Sequence, residues 1–256
     1  SRREIESEIG AKISSGQRQV DLENPDFEIV VILAGPGDSS GHWDDVQQNP
    51  LILWGIRDGS FPGTYVGTSP TDRPFFKPVT MDPRLARLMV SLSFSRGKPS
   101  AVVDPFCGTG GIAIEASMLG IEALASDLDS RMVEGTIANL GWANGTGPHR
   151  VERCSADSIH EVWGKIARCS FVFDPPYGRN AWTSEDGLDV FLGAMSSARE
   201  MCSDGTVCTM LPSNPDALNG PVSDQLQVMG LDWREMRGQL SECGWEVSSG
   251  IPVRVH

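Results

Sequence analysis

The chain has 256 residues, enough for one α/β domain of ordinary size plus a smaller module. It carries 34 acidic against 21 basic side chains, a net charge of -13, and 17 of the basic ones are arginine. No apolar run approaches the ~20 residues that span a bilayer and no signal peptide is evident; six cysteines occur without a C-x-x-C pair, which speaks against zinc and any other metal and for a reduced, cytoplasmic setting.

In chain order, Ile5-Glu6-Ser7-Glu8-Ile9-Gly10-Ala11-Lys12-Ile13 has a short helical pattern, and Val20-Asp21-Leu22-Glu23-Asn24-Pro25-Asp26 leads into an apolar strand from Phe27 to Leu33. From Ala34 to Thr71 the composition is rich in Gly, Ser, Asp and Pro and reads as a linker. It is interrupted by Leu51-Ile52-Leu53-Trp54-Gly55-Ile56, which either forms a strand or packs between domains. Thr80 to Phe94 reads as an amphipathic helix capped by Thr80 or Asp82, with Pro83 in its first turn. Leu85, Leu88, Met89 and Leu92 share its inward face, and Arg84 and Arg87 fall on the solvated side.

Ser100-Ala101-Val102-Val103 has strand length, and Gly111 to Leu119 has helical spacing ended by Gly120, so the glycine-rich run Asp104 to Gly111 joins a strand to a helix. Such a junction lies at the carboxyl end of a strand, where open α/β sheets bind ligands and where glycine lets backbone approach them. The run fits neither the dinucleotide fingerprint nor the P-loop. A second strand, Ile121 to Ser126, ends at Asp127-Leu128-Asp129. An acid about 20 residues beyond a glycine loop is placed to hydrogen-bond a ribose diol, which makes Asp127 the candidate. Asp129-Ser130 would cap a helix whose inward face is Met132, Val133, Ile137 and Leu140, and a third strand over His149 to Cys154 leads to Ser155-Ala156-Asp157-Ser158.

The fourth strand, Cys169 to Phe173, runs into Asp174-Pro175-Pro176-Tyr177-Gly178. Two consecutive prolines hold the backbone extended, remove two donors and turn carbonyl oxygens outward. A planar exocyclic amine needs acceptors for its hydrogens and a flat surface for its ring. Asp174 Oδ and the Pro175 carbonyl would supply the first, Pro176 the rigidity and Tyr177 the stacking face. Catalysis by such a clamp is chiefly positioning. Arg179 to Glu185 is a polar loop able to fold over a substrate, with Arg179 and Trp182 as candidate contacts. Asp186 to Cys202 then reads as a helix, Gly205 to Leu211 as a strand, residues 212–230 as an aperiodic loop near the site, Leu231 to Cys243 as a helix and Trp245 to Val247 as a strand. This alternation implies a doubly wound, mostly parallel sheet.

Asp104-Pro105-Phe106-Cys107-Gly108-Thr109-Gly110 resembles motif I of the class I S-adenosylmethionine-dependent methyltransferases, in the form found in enzymes that methylate amino groups of bases. The resemblance implies that these seven residues bind S-adenosylmethionine and that Leu128 packs on adenine. It gives Asp157 the adenine amino group; the residues alone equally allow Asp157 to be a cap for Ser158 to Trp163. Asp174 to Arg179, the stretch Arg73-Pro74-Phe75-Phe76-Lys77-Pro78-Val79-Thr80-Met81-Asp82-Pro83-Arg84-Leu85-Ala86-Arg87 and the terminal Ile251 to His256 together resemble the archaeal and eukaryotic tRNA guanine-N2 methyltransferases of the guanosine-10 type. That implies methylation of the exocyclic N2 of a guanosine in tRNA, with the base flipped out of its stack. Val20 to Asp26 and the strand after it resemble the closing half of a THUMP domain, a module that grips tRNA; a whole module needs roughly twice this length, so the chain is expected to begin inside one.

The expected organisation is therefore a partial α+β THUMP-like module over 1–35, a linker over 36–79, and a Rossmann-like class I methyltransferase domain over 80–256, with tRNA as partner, no membrane, and room for a small activator subunit. Two other readings compete: a DNA adenine-N6 or cytosine-N4 methyltransferase, and an inactive RNA-binding subunit. The net charge of -13 is unusual for a nucleic-acid binder. It leaves three accounts: a local arginine cluster on an acidic body, a basic part of the RNA module outside this sequence, or acidification suited to high intracellular salt.

Overall fold

Two apolar runs of seven residues, β1 (Glu28–Ala34) and β2 (Leu51–Arg57), pair antiparallel from Glu28 opposite Arg57 to Ala34 opposite Leu51. They belong to the first of two compact units, Ser1–Thr64 and Tyr65–His256, in the computed structural model. The structure describes residues 7–8, 10–11, 28–34, 51–57, 69–78, 80–176, 184–214, 226–248 and 250. Leu51–Arg57, read from the sequence inside a linker, is thus half of a two-stranded sheet, because a short apolar run does not reveal its partner. Residues 69–78, also assigned to the linker, lie in the second unit.

The second unit is built on β3 (Ala101–Asp104), β4 (Glu122–Asp127), β5 (His149–Arg153), β6 (Cys169–Phe173) and β7 (Thr206–Thr209), all parallel in the order β5-β4-β3-β6-β7. Its helices are α1 (Pro83–Leu92), α2 (Gly111–Met118), α3 (Ser130–Ala143), α4 (Ile159–Trp163), α5 (Ser184–Met201) and α6 (Trp233–Glu242). Side chains alternate across the sheet. Val102, Ala123, Ala125 and Val172 pack with residues of α1, α2 and α3, while Ala101, Val103, Phe171 and Phe173 pack with residues of α4, α5 and α6. Every residue of β3 and β6 is buried, as expected of central strands covered on both faces. This is a doubly wound, Rossmann-like parallel sheet, the fold class expected from the sequence. From β3 the chain winds outward through β4 and β5, then crosses to β6 and β7 on the other side, so β3 and β6 flank the point where strand order reverses.

Four local expectations are corrected. α1 is capped by Asp82, whose carboxylate accepts from Arg84 N at 2.8 Å, but its buried face is Pro83, Ala86, Met89 and Val90, and Leu88 and Leu92 are about half exposed. Small Ala86 permits close approach, and Arg87 is drawn inward to an ion pair with Glu115 of α2 at 2.6 Å rather than standing in solvent. In α3, capped by Asp129, Ile137 faces out and Thr136 and Asn139 face in. Trp245 to Val247 is not a strand: Trp245 is held by its side chain, with Nε1 donating to Met195 O at 2.8 Å and its ring edge-on to Phe171. Finally, the aperiodic stretch contains a short hairpin, β8 (Gln227–Val228) with β9 (Leu231–Asp232), turned at Met229 and Gly230, both at positive φ. Methionine is an unusual residue for the first turn position, which hid the hairpin from the sequence. No helix among the described residues is long and apolar enough to cross a membrane.

Candidate active site

Three carboxylates meet at the carboxyl edge of the sheet. Asp104 ends β3, Asp127 ends β4 and Asp174 follows β6. They are close enough that the charges of Asp127 and Asp174 both act on Asp104. Asp104 is only 2% exposed, and burial first, then those two neighbours, push its carboxyl well above the usual carboxylate range.

Between Asp104 and α2 the loop is held by its own backbone. Asp104 Oδ1 accepts from Phe106 N at 3.1 Å, Cys107 N donates to Ser126 O at 2.9 Å, and Gly110 N donates to Cys107 O at 2.7 Å. Asp127 links loop to strand: Oδ2 accepts from Gly108 N at 3.0 Å and Oδ1 from Asp129 N at 2.9 Å. Each oxygen keeps a further lone pair for a ligand hydroxyl. Gly110 sits at φ +81°, and a Cβ there would stand 2.9 Å from Thr136 Cγ2, so both conformation and space demand glycine. Cys107 is buried against Thr136, and burial raises its thiol far above the ordinary range, which rules it out as a nucleophile at neutral pH.

Two α3 side chains, missed by sequence reasoning, support this loop from below. Thr136 Oγ1 donates to Gly108 O at 3.0 Å. Asn139, fully buried, donates from Nδ2 to Thr109 O and to Phe75 O, each at 2.8 Å, and accepts at Oδ1 from Phe75 N at 2.9 Å. Asn139 therefore fastens the Arg73-Pro74-Phe75 segment to the glycine loop. Gly135, one turn before it, makes room for the Phe75 ring: a Cβ would lie 2.1 Å from Phe75 Cδ1. Polar residues on the inward face of a helix next to a ligand loop were the available signal. A second one was Glu115, a lone charge in the apolar run of α2.

Of the loop residues singled out from the sequence, Asp104, Pro105, Cys107, Thr109 and Gly110 are buried and set its shape, whereas Phe106 and Gly108 are half-buried. The Phe106 ring packs on Phe173 with centroids 5.6 Å apart. Leu128 is 56% exposed beside Asp127, an apolar surface at the same rim. Asp157 lies inside a 3₁₀ turn, Ala156–Ser158, exposed, with Oδ1 accepting from Ser158 Oγ at 2.9 Å. Hydrogen bonds from the Ser155 and Ser158 side chains lower its pKa. It is not the cap of α4, whose N-cap is Ser158. Pro175 is buried and Pro176 half-buried; Tyr177, Arg179 and Trp182 lie outside the described residues, as does Ile251 to His256. No group of three or more His, Cys, Asp or Glu among the described residues could hold a metal ion.

Known proteins resemble this chain over the same region. The tRNA (guanine(10)-N2)-dimethyltransferase of Pyrococcus abyssi is 30% identical over 239 residues, 93% of this chain and 66% of that protein. The protein of that name in Methanothermobacter thermautotrophicus is 39% identical over 145 residues, 56% of this chain and 42% of that one. A third, in Methanocaldococcus jannaschii, is 31% identical and covers 68% and 47%. The chain thus spans between 42% and 66% of the length of these relatives. Among solved structures, TrmN from Thermus thermophilus aligns with a TM-score of 0.42 at 23% identity, over 59% of this chain and 46% of that one. A family model for the RMKL-like methyltransferase domain (UPF0020) matches residues 70–238, which hold the whole of the described sheet and its carboxylate rim, and the chain belongs to that family.

Proposed function

We propose that this chain is the catalytic part of a tRNA methyltransferase that uses S-adenosylmethionine to methylate the exocyclic N2 of a guanosine, guanosine 10 being the position named in its relatives. One observation carries the reading: the glycine loop and Asp174-Pro175-Pro176 stand side by side at the reversal of strand order, through the β3–β6 ladder that pairs Ala101 with Cys169 and Val103 with Phe171. Membership of a methyltransferase family and three relatives with the same printed activity support it.

The residues present fit a cationic adenosine cofactor. Three clustered carboxylates, two of which act on the buried Asp104 to raise its proton affinity, favour a positive group among them, and the Leu128 surface beside Asp127 suits an adenosine. When bound, S-adenosylmethionine supplies an electrophilic methyl on a sulfonium. Asp127 would hold the ribose hydroxyls and Asp157 the adenine amino group. Asp174 Oδ would accept a hydrogen bond from the guanine amine and receive its proton as the new N–C bond forms, with the Pro175 carbonyl as second acceptor. Tyr177, Arg179 and Trp182 would stack on and enclose the base, and residues 1–64 would contribute to gripping the RNA.

The test is nucleoside mass spectrometry of bulk tRNA incubated with the protein and isotope-labelled S-adenosylmethionine, beside Asp174→Ala. Labelled N2-methyl- or N2,N2-dimethylguanosine, absent with Asp174→Ala, is the expected result. Label in methyladenosine or methylcytidine, or none despite cofactor binding, would refute the guanosine assignment.

A further inference from the structure

Three cationic side chains stand together at the edge of the sheet opposite the carboxylate rim. Arg96 and Lys98, between α1 and β3, and Arg168, immediately before β6, line one open cavity of about 150 Å³. Because the strands are parallel, the amino ends of β3, β6 and β7 share this edge. Ala101 here and Asp104 at the rim are three residue rises apart, roughly 10 Å.

All three cations are exposed, and among the described residues none lies within ion-pair distance of a carboxylate. Lys98 Nζ donates to Leu119 O at 3.3 Å, which occupies one of its three hydrogens. One acid lines the cavity, Asp204, and its Oδ1 accepts from Arg168 N at 3.1 Å and from Cys202 Sγ at 3.2 Å. One negative against three positive charges leaves two over, on a chain whose net charge is -13. The backbone fixes this grouping. Arg168 sits at φ +56°, a conformation that residues other than glycine seldom adopt, and is held there from both sides. Its N–H is taken by Asp204, and its carbonyl accepts from Ser100 N at 3.1 Å. Ser100 follows Lys98 in the same loop, so that bond ties the loop of Arg96 and Lys98 to the loop of Arg168. Gly97, at φ +92°, donates from N to Phe94 O at 2.8 Å and closes the turn between Arg96 and Lys98.

We infer that this cavity binds a phosphate group, held by the Arg96 and Arg168 guanidiniums and the Lys98 ammonium, at a site separate from the reaction centre. Two surplus positive charges match a phosphate monoester, and guanidinium forks meet phosphate oxygens in pairs. A recess lined by one sign of charge concentrates the opposite ion even on an acidic body. The volume is well below the ~300–1,000 Å³ of pockets that enclose whole small molecules, so the phosphate enters and its bearer stays outside. An RNA backbone and a free phosphate ester present the same group to these side chains. Occupation of the cavity is independent of the reaction assigned to the carboxylate rim, where three acids disfavour a phosphate.

Nuclear magnetic resonance of the whole chain, following the amides of Gly97, Ser100 and Arg168 during titration with inorganic phosphate at constant ionic strength, tests this against chloride. Saturable shifts with phosphate and none with chloride are expected. Arg96→Gln combined with Arg168→Asn should weaken phosphate by about 10- to 100-fold; asparagine is chosen because it tolerates positive φ. Lys98→Gln, at an exposed position, should weaken it about 10-fold and serves if the double variant does not fold. Arg237→Gln, an exposed arginine of α6, should leave it unchanged. Binding of a tRNA transcript at several salt concentrations then identifies the bearer. A slope of log Kd against log salt that falls by about 1 per lost contact in the variants assigns the phosphate to RNA. An unchanged slope, with ribose 5-phosphate shifting the same amides, assigns it to a free phosphate ester. Absence of saturable phosphate shifts in the wild type overturns the inference without any variant. Folded variants that keep wild-type phosphate affinity overturn it as well.

Discussion

Asn139 is where one side chain carries the most structure, and its removal is the sharpest test of how the glycine loop is held. Asn139→Ala deletes three hydrogen bonds of 2.8 to 2.9 Å to the backbone of Phe75 and Thr109. Each such bond contributes about 1 kcal/mol net, and a buried group left unpaired costs about 1–3 kcal/mol. Phe75 is half-buried and can recover some hydration, while Thr109 cannot, so the sum expected is about 3–5 kcal/mol. For a domain of this size, at about 2–4 °C per kcal/mol, the melting temperature should fall by roughly 6–20 °C. Asn139→Asp separates acceptor from donor. Its carboxylate keeps the bond from Phe75 N but can give nothing to the two carbonyls, and a buried carboxylate facing carbonyl oxygens has its folded pKa raised. Between the unfolded value and that raised value the native state binds a proton the unfolded chain has released, so the variant's deficit should be smaller at pH 5 than at pH 8. Thermal and urea unfolding followed by circular dichroism at both pH values measure this. An Asn139→Ala protein within about 1 kcal/mol of wild type, or an Asn139→Asp deficit independent of pH, would refute the reasoning.

Further outcomes follow from the same framework. Gly135→Ala places a methyl 2.1 Å from Phe75 Cδ1, at the base of a ring whose backbone is pinned by Asn139, and should destabilise by about 1–3 kcal/mol, read from denaturant midpoints at unchanged slope. Glu115→Gln removes the buried carboxylate that pairs with Arg87 and acts through space on Arg73, and should cost about 3–5 kcal/mol, more than Asp82→Asn, which weakens the exposed pair with Arg84 and loosens a cap. Asp104 has a folded pKa raised by burial, so stability from this group is lost as pH rises from its unfolded value towards its folded one. Asp104→Asn keeps the acceptor for Phe106 N and should therefore gain on wild type as pH goes from 5 to 8; stability curves that run parallel for the two proteins would contradict this.

The candidate site residues could be singled out without a structure because their signals are local. Asp104 to Gly110 announces itself by the change from a strand to a helical pattern around glycines, and Asp174-Pro175-Pro176 by prolines that no regular element would keep. Alternation of strands and helices likewise carries the sheet class, since each period follows from backbone geometry alone. What a local pattern lacks is the identity of the neighbour. Leu85, Leu88, Met89 and Leu92 predict an inward face for α1, yet the ion pair of Arg87 with Glu115, 28 residues away, turns Leu88 and Leu92 outward. Met229-Gly230 turns a hairpin only because φ is positive at both residues, which a methionine does not advertise.

The sequence by itself determined which residues can do chemistry, because functional groups, glycine conformations and proline rigidity are properties of single residues and short spans. Only the tertiary structure decided which of them meet. The reversal of strand order between β3 and β6 brings the two motifs together across 70 residues, Asn139 fastens Phe75 to Thr109, and the fold buries Arg73 with its Nε and Nη1 unpaired. Those relations depend on packing between elements distant in the chain, and no span of sequence short enough to show a pattern contains both sides of any of them.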